Sequence, residues 1–272
     1  MGADERAARI DLKLARAKKH ISDLDSVVQV FRESQPYRLA HVDDLRSGRR
    51  AYRIEDLKPV PSDVPLIAGD AVHSLRVALD HLAWELVLAN GQQPGRWTAF
   101  PVCDDVAQFK RAATKRTLGM SNAAKAAVAA AQPYQDDYEY LSALRGLDNI
   151  DKHRSLIAAM CAYNEIEFAG SVVDLESPEY AGTGLSGIEL PAFQLVAEGD
   201  ELFTIAIPER SEDPELKIDI AFHEPAAFQH MAAQWGITLW HPIPPQISVV
   251  ETLTEMSKLV GNIVEVFRPL LE

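Results

Sequence analysis

The most constraining feature of this sequence is the stretch from Leu66 to Asn90, in which apolar residues recur three or four positions apart. On a helical wheel at about 100° per residue, its apolar side chains share one wide face. This periodicity predicts an amphipathic helix that buries that face against other elements. The apolar face consists of Ile67, Ala71, Leu75, Leu79, Leu82 and Leu86.

The opposite face of this predicted helix carries an unusual set of polar residues. A solvated helix face normally carries Lys, Glu and Gln, whereas imidazole, carboxylate and guanidinium groups can exchange protons, bind phosphate or hold a metal ion. The sequence therefore marks this face as a functional site or as a network of mutually paired side chains. Its polar members are Asp70, His73, Arg76, Asp80 and His81.

Long amphipathic helices are also predicted near both ends of the sequence. Residues 4–34 repeat apolar side chains at helical spacing from Ile10 to Phe31, and residues 247–267 do so from Val250 to Phe267. Further helices are predicted at 105–116, at 121–131, from about 136 into 149–154, and at 226–235.

Two parts of the sequence favour β-structure. Short strands at 37–42 and 51–55 flank a turn at Ser47-Gly48 and predict a β-hairpin. Beyond the 149–154 segment, alternating apolar residues predict an antiparallel sheet. Its strands are expected at 156–163, 165–175, 187–196, 201–208 and 216–222.

The fold class predicted from these elements is α+β. We expect a helical bundle of long amphipathic helices, with an N-terminal β-hairpin and an inserted antiparallel sheet. No linker-like composition divides the chain, so a single domain over 1–272 is expected, with 155–222 as a candidate β subdomain before the closing C-terminal helix.

Charge and composition limit the partners of this chain. The formal net charge is −13, so the field of the whole molecule repels polyanions. Contact with RNA would therefore need a local basic patch, such as Arg46, Arg49 and Arg50 in the hairpin turn, or the cluster from Lys110 to Arg116. The charged N-terminal segment and the absence of a long apolar run predict a cytoplasmic protein without a membrane partner.

Arg76 and His81 form an R-x4-H pair that resembles the motif of the HEPN superfamily. Many of those helical-bundle proteins are endoribonucleases that cleave RNA without a metal, close to a dimer interface. The resemblance implies that His81 activates the ribose 2′-hydroxyl, that Arg76 holds the scissile phosphate and that the chain forms a homodimer. We further expect Asp80 to orient the imidazole. Val77 stands where active members usually have a polar residue, so an inactive relative is the other form of this hypothesis.

A longer pattern combines the segment GDAVHSLRVALDHL, from Gly69 to Leu82, with the segment NIDKHR, from Asn149 to Arg154. Together the two segments resemble a group of bacterial proteins that brings no activity with it. The resemblance implies that the two polar segments meet and satisfy one another. It adds supporting site residues to the candidates: Asn149, Asp151, Lys152, His153 and Arg154, beside His73 and Asp70.

The first alternative is that this cluster is structural. Buried polar groups are costly unless they are paired, so Asp70, His73 and Asp80 would bind the side chains of the second segment. Asp148 or Asp151 would then neutralise Arg76. The chain would be a non-catalytic module that binds another protein.

The second alternative is a metal-dependent hydrolase. Asp70 and His73 lie one helical turn apart and offer oxygen and nitrogen ligands, and the shell could be completed by Asp80, His81, Asp151 and His153. The sequence has no second D-x-x-H pair, and Arg76 and Lys152 would place positive charge beside the cation. We therefore expect no metal and no cofactor.

Overall fold

The structure, a computed structural model, describes residues 2–135, 138, 140–153, 159–168, 171–172, 194–206, 214–222 and 248–272. These residues form helices and antiparallel sheets, which confirms the predicted α+β class. The helix predicted at 226–235 and most of the strand predicted at 187–196 lie outside the described residues.

Two long helices dominate the core. Helix α1 spans Ala3–Glu33 and helix α2 spans Asp63–Ala89, and they contact each other more extensively than any other pair of elements. Leu24 and Val28 on α1 are fully buried, as are Leu75 and Leu79 on α2, so the predicted apolar faces meet.

Helix α2 begins at Asp63, three residues before the apolar periodicity starts at Leu66. Pro65 lies in its first turn, where the missing N–H of proline removes no intrahelical hydrogen bond. Beyond its end, Gly91 has a φ of +68°, a conformation that favours glycine after a helix terminus. The C-terminal boundary therefore agrees with the prediction.

The other helices lie close to their predicted positions. They are α3 (Val106–Arg116), α4 (Asn122–Ala130), α5 (Tyr140–His153) and α6 (Val249–Phe267), with a short 3₁₀ helix at Arg268–Leu271. Side chains cap several of them: Asp105 accepts from the N–H of Gln108 at 2.8 Å, and Ser248 accepts from the N–H of Glu251 at 3.1 Å. Helix α2 contacts both α5 and α6, and α1 also packs against α6.

The described strands form two antiparallel sheets. They are β1 (Arg38–Asp44), β2 (Arg49–Glu55), β3 (Ala159–Phe168), β4 (Ser171–Val172), β5 (Gln194–Leu195), β6 (Glu201–Ala206) and β7 (Glu215–Phe222). The predicted hairpin β1–β2 is present, and β6 pairs with β2 to extend it. In the second sheet, β4, β5 and β7 all pair with β3.

These pairings differ from the expected single inserted sheet. Strand β3 runs through the break predicted at Asn164, where the structure has only a register shift between Tyr163 and Glu165. Strand β6 lies in the first sheet, because its backbone pairs with that of β2 in the hairpin. Whether 155–222 forms a subdomain stays a prediction. Each helix among the described residues is too short or too polar to cross a lipid bilayer.

Helices α2 and α5 approach closely at Gly69. A Cβ atom at this position would lie 2.4 Å from Oδ1 of Asp151 and 2.9 Å from its Cγ, so the Asp151 carboxylate occupies the space of a side chain. This contact places the start of the Gly69–Leu82 segment against α5.

We expect Gly69→Ala to destabilise the fold relative to Gly146→Ala, its matched control. Both changes gain helix propensity, but an added Cβ at Gly146 meets nothing within 4 Å, whereas at Gly69 it overlaps Asp151. Overpacking costs about 1–3 kcal/mol, and because the end of the Asp151 side chain can move aside, we expect a value at the lower end of that range. The free energies of unfolding from urea titrations should therefore rank Gly69→Ala below Gly146→Ala, and equal values would contradict the close approach of the two helices.

Candidate functional site

Arg76 is buried, although the helical wheel placed it on the polar face of α2. Its residue exposure is 7%, and its Nη2 atom donates to Oδ1 of Asp80 at 2.8 Å and to the carbonyl oxygen of Phe100 at 2.6 Å. The charge partner of Arg76 is therefore Asp80, one turn along the same helix, rather than Asp148 or Asp151.

Asp80 also binds the connection that follows α2. Its Oδ1 atom accepts the N–H of Phe100 at 3.0 Å, so Arg76 and Asp80 hold both backbone polar groups of that residue. The Phe100 ring is fully buried and lies edge-on to Phe267 of α6, with 6.0 Å between ring centroids. We call this set the Arg76–Asp80–Phe100 network. In this network Asp80 accepts hydrogen bonds from Arg76 and Phe100, whereas we expected it to orient the imidazole of His81.

Burial controls the electrostatics of Arg76. Desolvation lowers the pKa of its guanidinium, while the negative charges of Asp80 and Asp148 oppose that shift. Its Nη1 atom is buried and makes no hydrogen bond among the described residues. The guanidinium is therefore closed to a phosphate in this conformation.

His81 lies in a different environment. Five positions along an α-helix correspond to a rotation of about 140°, so its side chain leaves α2 well away from that of Arg76. Burial, followed by the positive charge of Lys13 on α1, lowers the pKa of its imidazole below 6.5. The ring is half-buried, and this environment favours its neutral form.

Glu85 is a polar residue that the sequence analysis missed. It is 2% exposed, and its Oε1 atom lies 3.5 Å from Nη1 of Arg9 on α1. Glu85 therefore belongs to the α1–α2 contact, His81, one turn earlier, lies at its edge, and Arg76 faces Phe100. A carboxylate within the apolar run after His81 was the signal that could have revealed it.

Some of the predicted supporting residues contact other side chains, and others are exposed to solvent. Nδ1 of His73 lies 3.4 Å from Oδ1 of Asp148, which is buried, while half of the His73 side chain is exposed. Asp70 and Asn149 are exposed. Lys152 and His153 lie in the last turn of α5, but their side chains, and all of Arg154, lie outside the described residues.

A second group of polar side chains, not foreseen from the sequence, fixes the residues after Phe100. Asp104 pairs with Arg145 and accepts the hydroxyl of Ser142 at 2.8 Å, both on α5. Gln132 is fully buried, accepting the N–H of Cys103 at 3.1 Å and donating to the carbonyl of Pro101 at 2.8 Å. The segment 100–104 is thus bound on several sides.

What remains open on α2 is a narrow line of residues that we call the α2 stripe. Apart from the neighbours Asp80 and His81, successive members are three or four positions apart, and the line runs nearly the length of the helix. Two of its members are large and apolar: Leu66 is 49% exposed and Trp84 is 44% exposed. The stripe consists of Leu66, Asp70, His73, Val77, Asp80, His81, Trp84 and Leu88.

The basic patch in the hairpin turn is partly neutralised. Arg50 is buried and binds both carboxylate oxygens of Asp43, at 2.7 and 3.0 Å, whereas Arg46 and Arg49 are exposed. For metal binding, no three His, Cys, Asp or Glu side chains within the described ranges come together as ligands.

Comparison with known proteins identifies no relative of this chain: no family model matches it, and neither does any curated protein or solved structure.

We expect Arg76→Met to lower the free energy of unfolding by about 1–3 kcal/mol, the cost of leaving a buried polar group such as the Phe100 carbonyl unpaired. Arg46→Met is the matched control, because Arg46 is exposed in the hairpin turn and its side chain makes no hydrogen bond to the described residues. Substitutions of exposed side chains usually change the free energy of unfolding by less than about 0.5 kcal/mol. Urea denaturation that finds both variants equally stable would contradict the structural role of Arg76.

Proposed function

We propose that this chain is a non-catalytic protein-interaction module, an inactive HEPN-like helical bundle that pairs with a second copy of itself through the α2 stripe. The observation that carries the proposal is the burial of Arg76 in the Arg76–Asp80–Phe100 network. The proposal includes the cytoplasmic location expected from the sequence.

The geometry of the motif pair favours architecture over RNA cleavage. A phosphate-binding arginine needs free N–H groups directed at the oxyanion. Here Nη2 of Arg76 is engaged and Nη1 is enclosed, while His81 lies at the edge of the α1–α2 contact. The two residues do not line a common opening in this conformation.

The spacing of the α2 stripe favours a helical partner. Alternating steps of four and three residues from Leu66 to Trp84 match the a and d positions of a helix–helix seam. Exposed Trp and Leu side chains along such a line are typical of protein–protein contacts.

A second copy of the chain fits this stripe when the two α2 helices run antiparallel and cross at Val77. Leu66 then lies opposite Leu88 of the other copy, and Asp70 lies opposite Trp84. His73 lies opposite His81 and next to Asp80, so an imidazole meets a carboxylate of the other copy twice. The pattern is self-complementary over about 33 Å of helix.

The net negative charge of the chain opposes this pairing. Each copy has a formal net charge of −13, so the two copies repel one another at long range. Salt screens that repulsion over about 10 Å at 0.1 M ionic strength. Pairing should therefore strengthen as salt is added, unlike an association that depends on attraction between opposite charges.

Sedimentation velocity at several protein concentrations tests the proposal. We expect the wild-type chain to form a dimer, and Val77→Arg and Trp84→Glu each to yield monomers. Val77→Arg brings two arginines together where the helices cross, and Trp84→Glu places a second carboxylate opposite Asp70 of the other copy. Leu45→Arg is the control: Leu45 is 85% exposed in the hairpin turn and lies outside the stripe, so this variant should stay dimeric. A wild-type monomer at every concentration, or dimers in the stripe variants, would contradict the proposal.

The HEPN-like endoribonuclease is the second candidate function, because burial lowers the pKa of the His81 imidazole and so favours the neutral form that accepts a proton. It predicts cleavage of single-stranded RNA in the presence of EDTA that is lost in His81→Ala. That result would overturn the non-catalytic proposal. Cleavage that EDTA abolishes would instead support the metal-dependent hydrolase.

A further inference from the structure

A cavity of about 590 Å³ lies at the C-terminal end of α1, where the residues before and within β1 meet β7. Cavities of about 300–1,000 Å³ accommodate small organic ligands. This one is distant in the chain from the α2 stripe and uses none of its residues. Among the residues that line it are Arg32, Tyr37, Leu39, Leu216, Ile218 and Asp219.

The walls of the cavity combine polar and apolar side chains, and strands β1 and β7 supply apolar ones. Leu216 and Ile218 of β7 are buried, and Leu39 of β1 is half-buried. The hydroxyl of Tyr37 accepts the N–H of Leu216 at 3.0 Å, so this phenol is occupied by β7 and its ring forms part of the wall. An apolar ligand body would therefore meet a preformed surface.

Arg32 supplies the polar contact in the cavity. Its Nη2 atom pairs with Asp219, which is held in turn by the N–H of Ile220 at 2.7 Å. The Asp219 side chain is 9% exposed, whereas that of Arg32 is 40% exposed. Nε and Nη1 of Arg32 make no hydrogen bond to the described residues, so Asp219 orients a guanidinium that keeps donors for a ligand.

An anion would be recognised by Arg32 rather than by a general surplus of positive charge. The charge of Arg32 is offset by that of its partner Asp219, so recognition depends on the N–H donors of Arg32 that stay free. The C-terminal end of a helix has negative partial charge, which would repel an anion. At the end of α1, however, the ammonium of Lys58 donates to the carbonyl of Ser34 and offsets that charge.

We infer that this cavity binds a small organic oxyanion, in which one carboxylate or equivalent singly charged group contacts Arg32 and an apolar body lies against Tyr37, Leu216 and Ile218. Guanidinium groups bind carboxylates through two parallel N–H···O bonds, which suits the two free donors of Arg32.

The test uses 8-anilinonaphthalene-1-sulfonate as the probe and its uncharged counterpart N-phenyl-1-naphthylamine as the matched ligand. Their fluorescence is titrated against the full chain and three variants. Arg32→Met/Asp219→Asn removes both charges of the pair together, so no unpaired charge stays buried. Leu39→Trp fills the cavity, and Arg46→Met removes an exposed arginine in the hairpin turn as the control.

We expect saturable binding of one sulfonate probe per wild-type chain and unchanged binding in Arg46→Met. Loss of a charge-assisted hydrogen bond should weaken the sulfonate by about tenfold or more in the double variant. The uncharged probe should bind that variant and the wild type equally, and Leu39→Trp should block both probes. Equal sulfonate affinity in the wild type and the double variant, or unchanged binding in Leu39→Trp, would overturn the inference. Far-ultraviolet circular dichroism verifies that each variant is folded.

Discussion

The guanidinium of Arg76 is the group on which the arrangement around α2 depends. A charged side chain with 7% exposure is costly to bury unless its N–H groups are paired, and Asp80 and the Phe100 carbonyl supply those partners. Satisfying Arg76 therefore fixes the backbone of Phe100 on α2. The Phe100 ring is then held against Phe267 of α6, so one polar interaction links α2, the connection to α3 and the C-terminal helix.

Local periodicity was sufficient to predict the long helices and the hairpin. Helices α1, α2 and α6 begin and end within a few residues of their predicted limits, because their apolar spacing reports which face is buried. The strand pairings were harder to predict from the sequence. Strand β6 pairs with β2 rather than with the strands around it, and the choice between such distant partners depends on packing that no local pattern records.

The same distinction applies to the candidate site. The sequence identified the polar residues of α2, but not which of them are enclosed. Arg76 is covered by the segment around Phe100 and Glu85 by α1, and both coverings come from distant parts of the chain. Asp80 and His81 are neighbours with different partners, since successive helix positions face different directions. The motif spacing therefore predicted proximity along the helix without predicting a common opening.

Hydrogen exchange at the backbone amide of Phe100 tests the structural role of the Arg76–Asp80–Phe100 network most directly, because that N–H is donated to Asp80. We expect slow exchange of this amide in the wild-type chain and much faster exchange in Asp80→Ala, while the amide of Leu82 within α2 stays protected in both. Wild-type exchange of the Phe100 amide as fast as that of an exposed loop amide would contradict the role of Asp80 in holding Phe100.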